Sequence, residues 1–155
     1  MKRKEITTFE EALAAVQKDG WALDYVPEEF KTPELCLTAV KNAKGRLFGG
    51  SFLSHVPESL RDEKLCLAAV QQNGISLSHV PKALRTAELC RIAVEENGWA
   101  LGDVPEELKT KELCHLAAHN MNYCESIHQA IYLVEEVPDE FIDSVREILY
   151  SIFDS

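Results

Sequence analysis

The residues best suited to chemistry in this sequence are two pairs of potential metal ligands near the C-terminus. His115 and His119 are four positions apart, and so are Cys124 and His128. This spacing places both members of a pair on one helical face, so two adjacent helices could present four tetrahedral zinc ligands. However, Arg91 stands 24 positions before His115, which indicates a position open to solvent. We therefore expect no bound metal and keep this group as the candidate metal site.

The cysteines are the second set of reactive side chains. Four of the five share one position of a repeated segment, where the first repeat has Ala12: Cys36, Cys66, Cys90 and Cys114. A slot that accepts both alanine and cysteine is small, apolar and buried. Stacked helices lie about 8–10 Å apart, which exceeds the roughly 7 Å that a disulfide can bridge. We expect free, unreactive thiols, which suit a reducing cytoplasm.

Signatures of other chemistry are missing from the sequence. No Ser/His/Asp order, catalytic carboxylate pair or cofactor fingerprint is visible. Gly45, Gly49 and Gly50 do not form a phosphate-binding loop, because no Gly-Lys-Ser or Gly-Lys-Thr follows them. The sequence therefore predicts neither an enzyme nor a cofactor.

An eleven-residue segment that occurs four times organises these residues. It reads VPEEFKTPELC from Val26, VPESLRDEKLC from Val56, VPKALRTAELC from Val80 and VPEELKTKELC from Val104. The last three copies begin 24 residues apart, and a degenerate unit from Thr8 precedes them. A period of this length indicates a solenoid. We predict one domain over residues 1–155, with about five repeats at 8–30, 31–60, 61–84, 85–108 and 109–141.

Capping residues indicate a long helix in each repeat. Thr8, Thr32, Thr86 and Thr110, with Asp62 in the third repeat, precede the helices as N-caps. Gly20, Gly74 and Gly98 are expected to close helices in the left-handed conformation. A proline later in each repeat suits a short α or 3-10 helix. The predicted fold is an all-α solenoid, with a long helix and a short helix in each repeat.

The last part of the chain departs from the repeat. Val145, Ile148, Leu149 and Ile152 form the apolar face of one amphipathic helix. We predict that residues 139–153 cap the last repeat, because a solenoid must cover its terminal apolar face. Tyr150 and Phe153 leave weak dimerisation open as an alternative to a monomer.

The repeated elements from Val26 to Ala118 resemble a known family. VPEEL, T-x-ELC, AV and NG at this spacing are similar to a bacterial tandem-repeat family known as domain of unknown function 4116. The resemblance implies an all-helical tandem array. It brings no established reaction, cofactor or partner.

An insertion at residues 41–52 (KNAKGRLFGGSF) is the predicted partner-binding surface. Basic, apolar and aromatic residues occur together there: Lys44, Arg46, Leu47, Phe48 and Phe52. Such combinations are typical of binding hot spots. The alternative is a packing role, in which Leu47 or Leu53 fills the slot that Leu77 occupies 24 residues later, and Phe48 or Phe52 packs over the adjacent repeat.

Charge and hydropathy narrow the function. The formal net charge of −10 disfavours nucleic acid and favours a basic protein partner, although acidity also serves solubility. No stretch resembles a signal peptide or a membrane span. We expect a cytoplasmic adaptor or effector-like scaffold that binds another protein, with delivery into a host cell left open. The alternative is a small acidic inhibitor or immunity-type protein that neutralises one basic protein.

Overall fold

The computed structural model describes residues 6–43, 52–121 and 127–153. The chain divides into two compact units, Met1–Ala69 (unit 1) and Val70–Ser155 (unit 2). Every regular element in the described ranges is a helix, and none of them contains a strand. None of these helices is long and apolar enough to cross a bilayer. The predicted all-helical class is therefore confirmed.

The described residues form seven α-helices, and 3-10 helices lie between most of them. The α-helices of the described residues are α1 Phe9–Lys18, α2 Pro33–Asn42, α3 Glu63–Gln72, α4 Ala87–Glu96, α5 Lys111–His119, α6 Ile127–Val134 and α7 Ile142–Phe153. The first 3-10 helices of successive repeats are Gly20–Tyr25, Phe52–His55, Gly74–His79 and Gly98–Asp103. A three-residue 3-10 helix follows the proline of each Val-Pro pair: Glu28–Phe30, Glu58–Leu60, Lys82–Leu84, Glu106–Leu108 and Asp139–Phe141. Each of the first four repeats thus has two short helices, one more than predicted, whereas the described residues of the fifth have α6 and one 3-10 helix.

The predicted N-caps begin the long helices. The side-chain oxygens of Thr8, Thr32, Thr86 and Thr110 accept hydrogen bonds from the backbone N–H three residues later. Asp62 does the same at 2.8 Å from the nitrogen of Leu65. Each cap satisfies a backbone donor that the first helical turn leaves without a partner.

Glycines are required for a reason other than the predicted one. Gly20, Gly74 and Gly98 do not have positive φ angles. A Cβ atom at Gly98 would instead overlap the carbonyl oxygen of Ala117 and lie 3.0 Å from its carbon. Gly74 is placed in the same way against Ala93. Close approach of the next long helix, and not left-handed backbone, therefore explains these glycines.

The long helices pack sequentially within each unit. In unit 1, α1 packs on α2, and the 3-10 helix Gly20–Tyr25 contacts both. In unit 2, α4 packs on α5, and α5 packs on α7. The apolar positions that recur on the long helices are buried in both units. On α2, these residues are Leu35, Ala39 and Val40.

The predicted C-terminal helix is α7. Val145 and Leu149 bury their side chains where α7 packs on α5 and α6. A hydrogen-bonding contact of 3.0 Å between His115 Nε2 and Ser144 Oγ links α5 to α7. The helix thereby covers the apolar face of the last repeat.

Candidate protein-binding surfaces

The four repeated thiols lie in the core. Cys36, Cys66, Cys90 and Cys114 are free and fully buried. Burial raises the pKa of the thiols of Cys36, Cys66 and Cys114 to about 11, although a nearby basic side chain opposes this effect in each case. Burial also raises the pKa of the Cys90 thiol. The predicted slot is confirmed, and the thiols stay protonated near neutral pH.

These four thiols should resist modification in the folded protein. At Cys36, Cys66 and Cys114, where the pKa is about 11, roughly one thiol in a thousand is ionised at pH 8, and the thiolate is the reactive form. We expect an aromatic disulfide reagent to modify Cys124 first, a residue outside the described part of the chain, and the other four only after urea unfolds the protein. Rapid labelling of Cys66 under native conditions would contradict the core placement.

The same shift predicts a pH effect with a definite sign. The thiols of Cys36, Cys66 and Cys114 ionise near pH 8.5 in the unfolded chain, whereas their pKa is about 11 in the folded protein. Their contribution to stability is therefore complete below about pH 8.5 and is lost as the pH rises towards 11. Cys66→Ala, which copies the first repeat, should reduce this loss in urea titrations.

A basic residue that recurs at one position of the repeats was not predicted from the sequence. Lys31, Arg61, Arg85 and Lys109 each follow a three-residue 3-10 helix. The side chains of Lys31 and Lys109 are only 9% and 7% exposed, and they pair with Glu28 at 2.6 Å and with Glu106 at 3.1 Å. These basic residues recur five positions after the valine of the first four Val-Pro pairs, and this recurrence could have revealed them in the sequence.

Arg85 shows the hydrogen bonds that a basic side chain makes at this position. Its Nε donates a hydrogen bond to the carbonyl oxygen of Val80 at 3.0 Å, and its Nη2 to that of Ser78 at 3.1 Å. Its Nη1 reaches the next repeat and donates to the carbonyl oxygen of Asp103 at 2.6 Å. One guanidinium therefore satisfies carbonyl groups of two adjacent repeats, so Arg85 has a structural role.

Phe52 belongs to an aromatic cluster in unit 1. Its ring lies 5.1 Å from that of Trp21, edge to face, and its exposed fraction is 6%. Trp21 also contacts His55 at 5.4 Å, and His55 Nδ1 pairs with Asp24 at 2.7 Å. Phe52 thus packs inside unit 1, in agreement with the packing role given above as the alternative, and its ring is not part of an exposed surface.

The candidate metal ligands are only partly described. His119 is exposed, and His115 contacts Ser144. Cys124 and the side chain of His128 lie outside the described residues. Within the part that the structure describes, no three His, Cys, Asp or Glu side chains are arranged to hold a metal ion.

Exposed apolar side chains cluster on α6 and α7. Ile131 and Tyr132 of α6 are 49% and 63% exposed, and Tyr150 and Ile152 of α7 are 53% and 39% exposed. A groove of about 410 Å³ runs between the two helices, which pack on each other. The groove is lined by Ile131, Val134, Glu135, Ile142, Arg146, Leu149 and Tyr150. No sequence prediction included this α6–α7 groove.

A known family model matches the repeats in the first part of the chain. The family model described as Domain of unknown function (DUF4116) matches the chain twice, over residues 9–45 and 46–85. The chain carries two tandem DUF4116 domains. No curated protein and no solved structure gives a significant match.

The two DUF4116 matches can be compared with the helices. The first includes α1 and α2, and the second includes α3 and the 3-10 helices on both sides of it. Beyond residue 85, α4 and α5 continue the same alternation of long and short helices. The α6–α7 groove therefore lies outside both DUF4116 matches.

The predicted binding loop lies where the two DUF4116 matches meet. Lys44, Arg46, Leu47 and Phe48 are outside the described residues, so their role stays a prediction. Leu53 is fully buried and stands 24 positions before Leu77, which is also fully buried. Leu53 therefore fills the slot that the packing alternative assigned to Leu47 or Leu53.

Proposed function

We propose that the chain is a protein-binding helical-repeat module, an adaptor or effector-like scaffold without catalytic activity of its own. The observation that carries this proposal is the α6–α7 groove, whose lining includes the exposed Ile131 and Tyr150. Contiguous apolar surface on a folded protein commonly marks an interaction site. Tyr132 and Ile152 are exposed on the same two helices, whereas the remaining large exposed apolar side chains of the described residues lie singly on separate elements: Phe9, Tyr25 and Ile75.

The reactive side chains favour binding over catalysis. The repeated thiols are buried and protonated, so they offer no nucleophile to a substrate. Four free thiols suit a reducing compartment, and we propose the cytoplasm as the location and a monomer or weak dimer as the state.

A small acidic inhibitor or immunity-type protein is the second candidate. The net charge of −10 favours it, together with the exposed carboxylates of Glu95, Glu96, Glu106 and Glu107. Such a protein would bind one basic partner through long-range attraction, which salt weakens.

Affinity capture at two salt concentrations tests both candidates. The full chain is immobilised, and a lysate is applied at about 0.05 M and about 0.5 M salt, where the Debye length falls severalfold. Partners retained at both concentrations support the adaptor. One basic protein lost at high salt favours the inhibitor. If no protein is retained above the level of bare beads at either concentration, the protein-binding proposal fails.

The insertion predicted to bind a partner has its own test. Arg46→Glu combined with Phe48→Ala should leave the melting temperature within a few degrees, because surface changes usually cost less than about 0.5 kcal/mol. Capture of the partner should weaken at least tenfold, or about 1.4 kcal/mol. Lys64→Glu with Tyr25→Ala, both at exposed positions, is the matched control. A melting temperature far below that of the parent would show that Phe48 packs in the core. Unchanged capture of the partner would show that the partner contacts another surface.

A further inference from the structure

The α6–α7 groove has the dimensions of a site for one more helix. Its volume is about 410 Å³, enough for several aliphatic side chains, and Ile131, Ile142 and Tyr150 offer apolar contacts along it. The 12 residues of α7 span about 18 Å, which matches three turns of a second helix. Packed helices lie about 8–10 Å apart, with side chains of one between those of the other.

The packing of unit 2 favours a helical occupant. There, α4 is covered by α5, and α5 is covered by α7. Each long helix thus packs against a later one, whereas Ile131 and Tyr150 on the last pair remain about half exposed. A helix with apolar side chains at positions i, i+4 and i+7 would extend this arrangement by one step.

The charges around the groove indicate which helix would bind. Glu135 lies in its lining, and Asp143 and Glu147 are exposed on α7. Arg146, the basic residue of the lining, pairs with Asp143 at 3.9 Å. The lining itself has one carboxylate and one basic side chain, so the excess of carboxylates comes from Asp143 and Glu147, which adjoin lining residues on α7, and from the net charge of −10. This balance favours lysine and arginine beside the apolar stripe of the incoming helix.

We propose that the α6–α7 groove binds an amphipathic helix of a basic protein, with an apolar stripe flanked by lysine or arginine. The proposal rests on the protein-binding function and names the chemistry of its partner. A second copy of the chain fits less well. Two copies would each bring a net charge of −10, and a self-complementary interface would bring the same excess of carboxylates from both sides.

A designed peptide tests the proposal without knowledge of the natural partner. The probe is a fluorescein-labelled peptide of about 14 residues, or about 21 Å as a helix, with leucine at i, i+4, i+7 and i+11 and lysine beside them. Control peptides replace every lysine with glutamate, or every leucine with glutamine. Fluorescence anisotropy with the full chain should show binding of the lysine peptide at least tenfold tighter than that of either control, and weaker binding in salt.

Variants of the groove locate the binding. Ile131→Ala and Tyr150→Ala should each weaken the lysine peptide at least fivefold, whereas Ile75→Ala, at a position of similar exposure elsewhere, should leave it unchanged. Glu135→Lys should weaken it, and Glu107→Lys should have a smaller effect, because Glu107 lies outside the groove. Thermal melts of all variants should stay within a few degrees.

The outcomes separate this proposal from the protein-binding function. Equal affinity for the lysine and glutamate peptides, or equal losses in Ile75→Ala and Ile131→Ala, would overturn it. A dimer in sedimentation that Tyr150→Ala converts to a monomer would assign the groove to a second copy and also overturn it. If the parent and Tyr150→Ala capture the same protein from a lysate equally well, the chain binds proteins but does not use the groove to do so.

Discussion

Gly98→Ala is expected to lower the free energy of unfolding by about 3 kcal/mol, the upper part of the range for overpacked sites. An added methyl group would overlap the carbonyl oxygen of Ala117 on α5. Gly98 also donates its N–H to the carbonyl oxygen of Asn120 at 2.6 Å, so its backbone is held against the end of α5. The clash is between the added Cβ atom and a backbone carbonyl oxygen, so no side-chain rotation can relieve it.

Gly102→Ala is the matched control for this change. It lies in the same 3-10 helix, Gly98–Asp103, but a Cβ atom there would be 3.4 Å from the side chain of Glu136, which is ordinary contact. We expect a change within about 0.5 kcal/mol for Gly102→Ala. Urea titrations followed by circular dichroism would measure both variants. If Gly98→Ala unfolds at the same urea concentration as the parent, the close approach to α5 is wrong.

Arg85→Met is expected to lower the free energy of unfolding by about 3 kcal/mol or more. Methionine keeps much of the aliphatic volume but leaves the carbonyl groups of Ser78, Val80 and Asp103 without the donors that Arg85 supplies. Loss of a buried partner costs about 1–3 kcal/mol for each group left unsatisfied. Arg85→Lys should be intermediate, because lysine keeps the charge but lacks the planar, multiply donating guanidinium.

Arg91→Met provides the comparison for Arg85. Arg91 is on the surface of α4, where it pairs with Glu88 at 3.0 Å and with Glu95, and its side chain is 47% exposed. Exposed ion pairs contribute about 0–1 kcal/mol, so Arg91→Met should be nearly neutral in the same urea titrations. Equal losses for the two variants would show that Arg85 acts as an ordinary surface charge.

Caps and core positions could be predicted because they depend on short spacings. Thr32 and Leu35 are three residues apart, so their hydrogen bond follows once a helix begins there. The slot shared by Ala12 and Cys36 was visible from recurrence, since only a small apolar residue satisfies both repeats.

Features that join one element to the next were missed or misread. Gly98 was assigned to a left-handed helix end, whereas Ala117, 19 residues later, decides its role. Phe52 was grouped with the binding loop, but its partner Trp21 is more than one repeat away. The α6–α7 groove was not predicted at all, because neither helix alone shows what its neighbour leaves exposed.

The sequence by itself determined the 24-residue period, the starts of the long helices and the side chains that they bury. These depend on contacts within a few residues and on a pattern repeated often enough to be read. Tertiary structure alone decided how close Gly98 comes to α5, why Arg85 reaches Asp103, and where α6 and α7 leave apolar side chains in solvent. Such features depend on distances between separate elements, which the placement of one repeat on the next determines.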